Sequence, residues 1–147
     1  MKLSMILAVL LGGVVVSLQT AWNARMRVAV GNPVLSALLS VTVTFVLLTV
    51  IASSGLMGRG KLSGVSSAPW WAWGGGFAGA YFLVITLVAL PRIGAALVVA
   101  SLVLGQMAMA LVLDATGWFG VPHIEPTPIR ILGAALLVVG VVLLQRR

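Results

Sequence analysis

The sequence has no cysteine and only two acidic residues, and charged residues make up 7% of its 147 positions against 61% hydrophobic residues. Soluble domains carry about 25% charged residues. This shortage of charge excludes a soluble enzyme and a disordered chain, and the absence of cysteine excludes a secreted module held together by disulfides. The composition therefore indicates an integral membrane protein.

Side chains that could perform catalysis are equally scarce. Besides Asp114 and Glu125, the chain has a single histidine, His123. His123 and Glu125 could supply two metal ligands, but a catalytic zinc site needs three. No glycine-rich phosphate loop or nucleophile elbow is found in the sequence. We therefore expect neither an enzyme nor a bound cofactor or metal.

Basic residues outnumber acidic ones by nine to two, which gives a formal net charge of +7. In a soluble protein this excess would suggest nucleic acid binding. Here the basic residues stand singly or in pairs between apolar runs, where Lys and Arg position helices against anionic headgroups. We expect a lipid bilayer as the partner, and no nucleic acid.

Five apolar runs are long enough to cross a bilayer, which takes about 20 residues. They cover residues 3–24, 33–56, 70–90, 93–113 and 129–144. Arg130 lies just inside the last run, from where its side chain can reach the headgroups. Lys2 and the first run resemble a signal peptide, but no convincing cleavage site follows. The predicted fold is an all-α, multi-pass membrane protein with one five-helix domain over residues 1–147.

Small residues recur along the predicted third, fourth and fifth helices, and they let the backbones of neighbouring membrane helices approach closely. We interpret five glycines as helix-packing residues: Gly75, Gly79, Gly105, Gly133 and Gly140. The alternative is that some of them thin the wall of a substrate path.

Polar side chains inside the spans are few, and hydrocarbon penalises each of them. Counting from the span centres places Thr44, Tyr81 and Ser101 near the membrane midplane. The alternative for Thr44 and Ser101 is a hydroxyl that bonds back to a carbonyl of its own helix. We predict all three as substrate-binding candidates.

Three amide side chains complete the predicted substrate site. Gln106 lies about 5 Å and Gln19 about 9 Å from the midplane, and Asn23 follows Gln19 by one helical turn. For Gln19 and Gln106, as for Tyr81, the alternative is a hydrogen bond that only joins one helix to another. Asp114 is the acid nearest a helix core, and it is our candidate for proton or cation coupling. Its alternative is a surface ion pair with a loop arginine.

The basic residues are nearly balanced between the two sides of the membrane. Five spans place Lys2, Arg59, Lys61 and Arg130 on the N-terminal side, and Arg25, Arg27, Arg92, Arg146 and Arg147 on the other. Orientation follows the Lys and Arg bias of short loops. With four against five, we predict that the chain inserts in both orientations and forms an antiparallel homodimer of ten helices.

Motifs along almost the whole chain resemble the YdcZ family, short five-helix members of the drug/metabolite transporter superfamily. They are Gly13, Gln19 and Asn23, Pro69-Trp70-Trp71, Gly75-Gly76, residues 91–96 (PRIGAA), Gly105-Gln106, Asp114 with Gly117 and Gly120, and Arg130 with Gly133 and Gly140. The resemblance implies a transporter that works as a pair of domains, with members that insert both ways round and pair antiparallel. Small multidrug exporters of that superfamily carry a glutamate in the first helix, which this sequence lacks.

Together these features predict a small-solute transporter of a bacterial inner membrane, working by alternating access as a dual-topology homodimer. Glycine-lined helices and midplane amides suit a translocation path better than a catalytic site. The alternatives are a structural or accessory membrane subunit without transport of its own, and a membrane-embedded enzyme.

Overall fold

The computed structural model describes residues 2–56, 58, 60 and 62–145, and this part of the chain is helical without strands. The α-helices are α1 (Lys2–Val30), α2 (Pro33–Ser54), α3 (Gly74–Ile93), α4 (Ala95–Thr116) and α5 (Pro128–Gln145). Short 3₁₀ helices cover Leu62–Ser67, Trp70–Trp73 and Trp118–Gly120. Five helical segments are long and apolar enough to cross a membrane. The prediction of an all-α protein with five such helices is confirmed.

Helix α1 continues through residues 25–30, which the sequence analysis assigned to a loop. This stretch contains neither glycine nor proline, and the helix ends only before Gly31, whose φ is +69°. A helix of 29 residues is about 43 Å long. Because the hydrocarbon core is about 30 Å thick, a helix of this length can extend beyond it into the headgroup region at its basic end. The basic residues of this end can therefore remain charged.

Local signals set the ends of α2. The Asn32 side chain accepts hydrogen bonds from the backbone N–H groups of Val34 and Leu35, and Pro33 occupies the first helical turn. Asn at the N-cap and Pro at the first turn are the residues that favour a helix start. Gly55, in the left-handed conformation, ends the helix. The predicted span was two residues longer.

Helices α3 and α4 also differ from their predicted bounds. α3 continues through Pro91 to Ile93, and α4 begins at Ala95 after Gly94. At its other end α4 runs to Thr116, so Asp114 lies in the last helical turn instead of the loop. Gly117, with φ of +66°, ends the helix because a left-handed residue cannot continue it.

The chain divides into two compact units, Met1–Pro91 and Arg92–Arg147. In the first unit α1 packs against α2, and in the second α4 packs against α5. The predicted loop at 57–69 includes the 3₁₀ helix Leu62–Ser67. Met57, Arg59 and Lys61 of this loop, and Arg146 and Arg147 at the end of the chain, lie outside the described residues.

Few side chains are buried within the described part of a single chain. They are Thr20, Ser36, Ala37, Thr86, Leu87 and Val98. Large apolar side chains are exposed along every one of the five helices. Exposed apolar surface of this extent is stable only against lipid or another helix. It agrees with a protein that lies in a bilayer.

Candidate functional site

A cavity of about 460 Å³ lies between α1 and α2 and contains three of the predicted substrate-binding residues. Gln19 and Asn23 enter it from α1, and Thr44 enters it from α2. Its other lining residues are Val15, Trp22, Met26, Ser36, Leu39, Ser40, Val43 and Leu47. An apolar wall with a few polar groups is typical of a small-molecule site.

Hydrogen bonds at one end of this cavity join the two helices. Ser36 is fully buried, and its hydroxyl donates to the Asn23 backbone carbonyl across 2.7 Å. The Asn23 side-chain nitrogen donates to the Ser40 hydroxyl oxygen across 3.1 Å. Asn23 therefore uses both its backbone and its side chain to hold α1 against α2.

Gln19 and Thr44 differ in whether their polar groups form hydrogen bonds within the chain. The Thr44 hydroxyl donates to the Ser40 carbonyl of its own helix across 3.0 Å, which was the alternative for this residue. The half-buried Gln19 side chain makes no hydrogen bond to any residue in the described part of the chain. Its amide carries two donors and one acceptor. Of the two amide side chains that line the cavity, Gln19 is thus the one that is free to bind a solute.

The remaining predicted site residues lie outside this cavity. Tyr81 is on α3 with 71% of its surface exposed. Ser101 and Gln106 are on α4 and are exposed too. Each of these three therefore faces the surroundings of the single chain, and their substrate-binding role stays a prediction.

Asp114 pairs with Arg130 across the contact between α4 and α5. The Arg130 Nη2 donates to the Asp114 Oδ2 across 2.5 Å, with 19% of the Asp114 side chain and 35% of the Arg130 side chain exposed. The other terminal nitrogen, Nη1 of Arg130, is buried and donates to no residue in the part of the chain described. Arg130 thus bonds within the chain, where the sequence analysis expected it to reach the headgroups. Asp114 forms an ion pair, which was the alternative for this residue, but its partner is an arginine of helix α5 and not of a loop.

A second cavity, of about 280 Å³, lies beside this ion pair. It is lined by Met107 and Leu111 of α4 and by Arg130, Gly133 and Ala134 of α5. Gly133 leaves room for it, because a Cβ there would meet no atom within 4 Å. The same holds for Gly75, Gly79, Gly105 and Gly140, so within the described chain no helix approaches these glycines closely. Their packing role stays a prediction.

No metal centre accompanies these groups. Among the described residues, no three His, Cys, Asp or Glu side chains lie close enough together to hold a metal ion.

Two polar residues of the first cavity, Ser36 and Ser40, were not among the predicted site residues. Their signal was present, because Ser36, Ser40 and Thr44 follow one another at four-residue spacing and so share one face of α2.

Comparison with known proteins gives one family and one relative. A family model described as "Putative inner membrane exporter, YdcZ" matches residues 4–143. The inner membrane protein YdcZ of Escherichia coli (strain K12) is 33% identical over 150 residues, which cover 100% of this chain and 99% of that protein. No solved structure matches the chain. The relative and the five apolar helices place this chain in the inner membrane.

Proposed function

Because the chain belongs to the YdcZ family, we propose that it carries a small solute across the inner membrane, in the outward direction that the family description favours. The observation that supports transport best is the α1–α2 cavity with the uncommitted Gln19 amide at its wall. An amide without a hydrogen-bond partner is costly in hydrocarbon. A solute with hydrogen-bonding groups would satisfy it at the moment of binding.

The transporting unit in this proposal is an antiparallel homodimer. Transporters that encode both halves in one chain use inverted repeats with the site at their interface. This chain carries one such half, and its four and five basic residues on the two sides give little preference for either orientation. A second copy inserted upside down would supply the other half. Alternating access would follow because both openings present the same chemistry.

The antiparallel arrangement assigns a role to the predicted residues that lie outside the first cavity. Counted within the predicted spans, Gln19 and Asn23 lie towards the membrane side where α1 ends, whereas Gln106 lies about 5 Å from the midplane towards the side where α4 ends. Inverting one copy brings its Gln106 to the level of Gln19 in the other. Tyr81, Thr44 and Ser101 lie between these levels, near the midplane. The dimer would then contain two equivalent polar clusters, one on each side.

Asp114 is the coupling candidate in this scheme, with Arg130 as its competitor. The two side chains form an ion pair through one carboxylate oxygen, Oδ2, so a proton or a cation that binds the carboxylate competes with the guanidinium. Such competition links ion binding to a movement of α5 against α4. The coupling role thus requires that the Asp114–Arg130 pair opens during the cycle.

Transport is tested with purified protein in proteoliposomes. Solid-supported membrane currents are recorded while the vesicles meet metabolites and organic ions, with Gln19→Ala protein as the matched control. We expect a current with at least one solute class that Gln19→Ala abolishes. No current with any solute, together with thermal stability that no solute changes, would contradict transport and favour the accessory subunit. Conversion of a solute into a product would indicate the enzyme instead.

A further inference from the structure

Pro91 leaves one carbonyl of α3 without its helical partner. α3 spans Gly74–Ile93, so the proline lies inside it. In an α-helix each carbonyl accepts from the N–H group four residues later, and proline has no N–H. The carbonyl that loses its donor is therefore that of Leu87. Leu87 is only 1% exposed, so water does not replace the missing donor readily.

Arg27 of α1 provides the missing donor. Its Nη1 donates to the Leu87 carbonyl oxygen across 2.7 Å, although the two residues are 60 positions apart in the chain. The neighbouring hydroxyl, that of Thr86, donates to the Leu83 carbonyl instead. Hydrogen bonds from a charged donor are about twice as strong as neutral ones. A long side chain of α1 thus satisfies the carbonyl that the proline of α3 exposes.

We infer that Pro91 bends the end of α3 and that Arg27 is a positioning residue that fixes this bend, and that the Arg27–Leu87 bond opens and closes during transport. Proline bends a helix because its ring clashes with the carbonyl of the preceding turn. The turn after Leu87 lacks a backbone bond at that point, so its direction depends on the guanidinium. Only the opening and closing during transport rests on the proposed function.

The bond is tested by a double-mutant cycle in the full-length protein, unfolded by titration with SDS. Arg27→Gln is expected to lower the folding equilibrium constant about threefold or more, where threefold corresponds to the average of about 0.6 kcal/mol for hydrogen bonds between membrane helices. Pro91→Ala restores an N–H group for the Leu87 carbonyl. In the Pro91→Ala background, Arg27→Gln should therefore lower the folding equilibrium constant by less than about twofold. An equal loss in both backgrounds overturns the inference.

Arg25→Gln is the matched control, because it removes the same charge from the same end of α1, from an exposed side chain. The Arg25→Gln variant should be as stable as the parent. If it loses as much stability as Arg27→Gln does, the loss is caused by the removed charge and not by the hydrogen bond. If Arg27→Gln does not accumulate as folded protein, its recovery in the Pro91→Ala background supports the inference. Failure of the double variant to recover overturns it.

The bend itself can be measured, because a chain without cysteine accepts labels only where cysteine is introduced. Spin labels at Val28→Cys and Leu90→Cys, diluted with unlabelled protein, report the distance between the ends of α1 and α3. The distribution should be narrow in the labelled parent and with Arg25→Gln, broad with Arg27→Gln, and narrow again when Pro91→Ala is added. An unchanged distribution with Arg27→Gln overturns the positioning role.

Whether the Arg27–Leu87 bond opens and closes during transport is tested with the same variants and with a solute that the proteoliposome experiment identifies. Pro91→Ala should lower the maximal transport rate while leaving the apparent KM near that of the parent, because the α1–α2 cavity is intact. An unchanged rate overturns the opening and closing of the bond during transport. A protein that transports nothing overturns this part together with the proposed function, whereas the stability cycle and the distances still decide whether Arg27 fixes the bend.

Discussion

Polar side chains in the membrane helices divide into those that the chain itself satisfies and those that it leaves open. The Asn23 amide bonds to Ser40, and the Thr44 hydroxyl bonds to its own helix. The Gln19 amide makes no such bond to any described residue, although it lines the same cavity. Because the cost of an unpaired amide is high in hydrocarbon, a free amide is more informative about binding than a bonded one.

The two membrane glutamines should be needed for transport and not for folding. Gln19→Ala and Gln106→Ala are expected to abolish uptake of an identified solute into proteoliposomes, while the purified protein elutes in gel filtration as the parent does. Folding should survive, because a hydrogen bond between membrane helices contributes only about 0.6 kcal/mol on average.

Gln145→Ala is the control for this pair, since it removes the same amide from an exposed position in the last turn of α5. It should transport at the parental rate. Parental rates in Gln19→Ala and Gln106→Ala as well would mean that these glutamines are packing residues and that the site lies elsewhere.

At the scale of elements, each described helix pair is joined by polar contacts near one end. Ser36 and Asn23 join α1 to α2, and the Asp114–Arg130 ion pair joins α4 to α5. Apolar side chains drive little association between helices in lipid, because lipid tails are as apolar as they are. Directional bonds of this kind therefore determine which helices pair and in which register.

The Asp114–Arg130 pair should stabilise the packing of α4 on α5. Asp114→Asn is expected to lower the free energy of unfolding by about 1–3 kcal/mol, between the values for exposed and buried ion pairs, because it leaves a half-buried guanidinium without its counter-charge. SDS titration of purified protein measures the change. Adding Arg130→Gln should restore part of the loss, since two neutral amide groups can bond to each other.

A double variant as unstable as the sum of the two single variants would show that the residues act independently. Full stability in Asp114→Asn would show that the pair contributes nothing to packing. The second result would leave the α4–α5 contact dependent on its other side chains.

At the scale of the whole molecule, two features concern how many chains make one functional unit. The described helices form two compact units, each with one packed helix pair. The glycines predicted to pack helices are open to their surroundings within the described chain. Surfaces of small residues that no helix of the same chain approaches are suited to contact with a second copy.

Both orientations of the chain should be present in the membrane. Fusions at the C-terminus are expected to give both alkaline phosphatase activity, which reports the outer side, and fluorescence of a green fluorescent protein, which reports the inner side. Neutralising Arg59 and Lys61 should raise fluorescence and lower phosphatase activity, because it leaves the C-terminal side the more basic one. Neutralising Arg25 and Arg92 should have the opposite effect. One strong signal that neither change alters would contradict dual insertion.

The sequence by itself determined the class of protein, the number of candidate membrane helices and the family. The length of an apolar segment depends only on consecutive residues, so it can be found without knowing which helices are in contact. The helix ends were harder to predict than the number of helices. Residues 25–30 and Asp114 belong to helices because neither glycine nor proline stands before them to end the helix. Gln19 and Asn23 could be proposed because one helical turn separates them, and Thr44 because it lies near the centre of its span.

Only the tertiary structure decided which polar groups meet. The Arg27 bond to the Leu87 carbonyl spans 60 positions, and the Asp114–Arg130 pair spans 16. Such contacts depend on which helices are neighbours and on their relative rotation, which local propensity and hydropathy do not encode. The sequence marked Arg27 and Arg130 only as charges near span ends. Their bonding to a backbone carbonyl and to a carboxylate follows from the packing of one helix beside another.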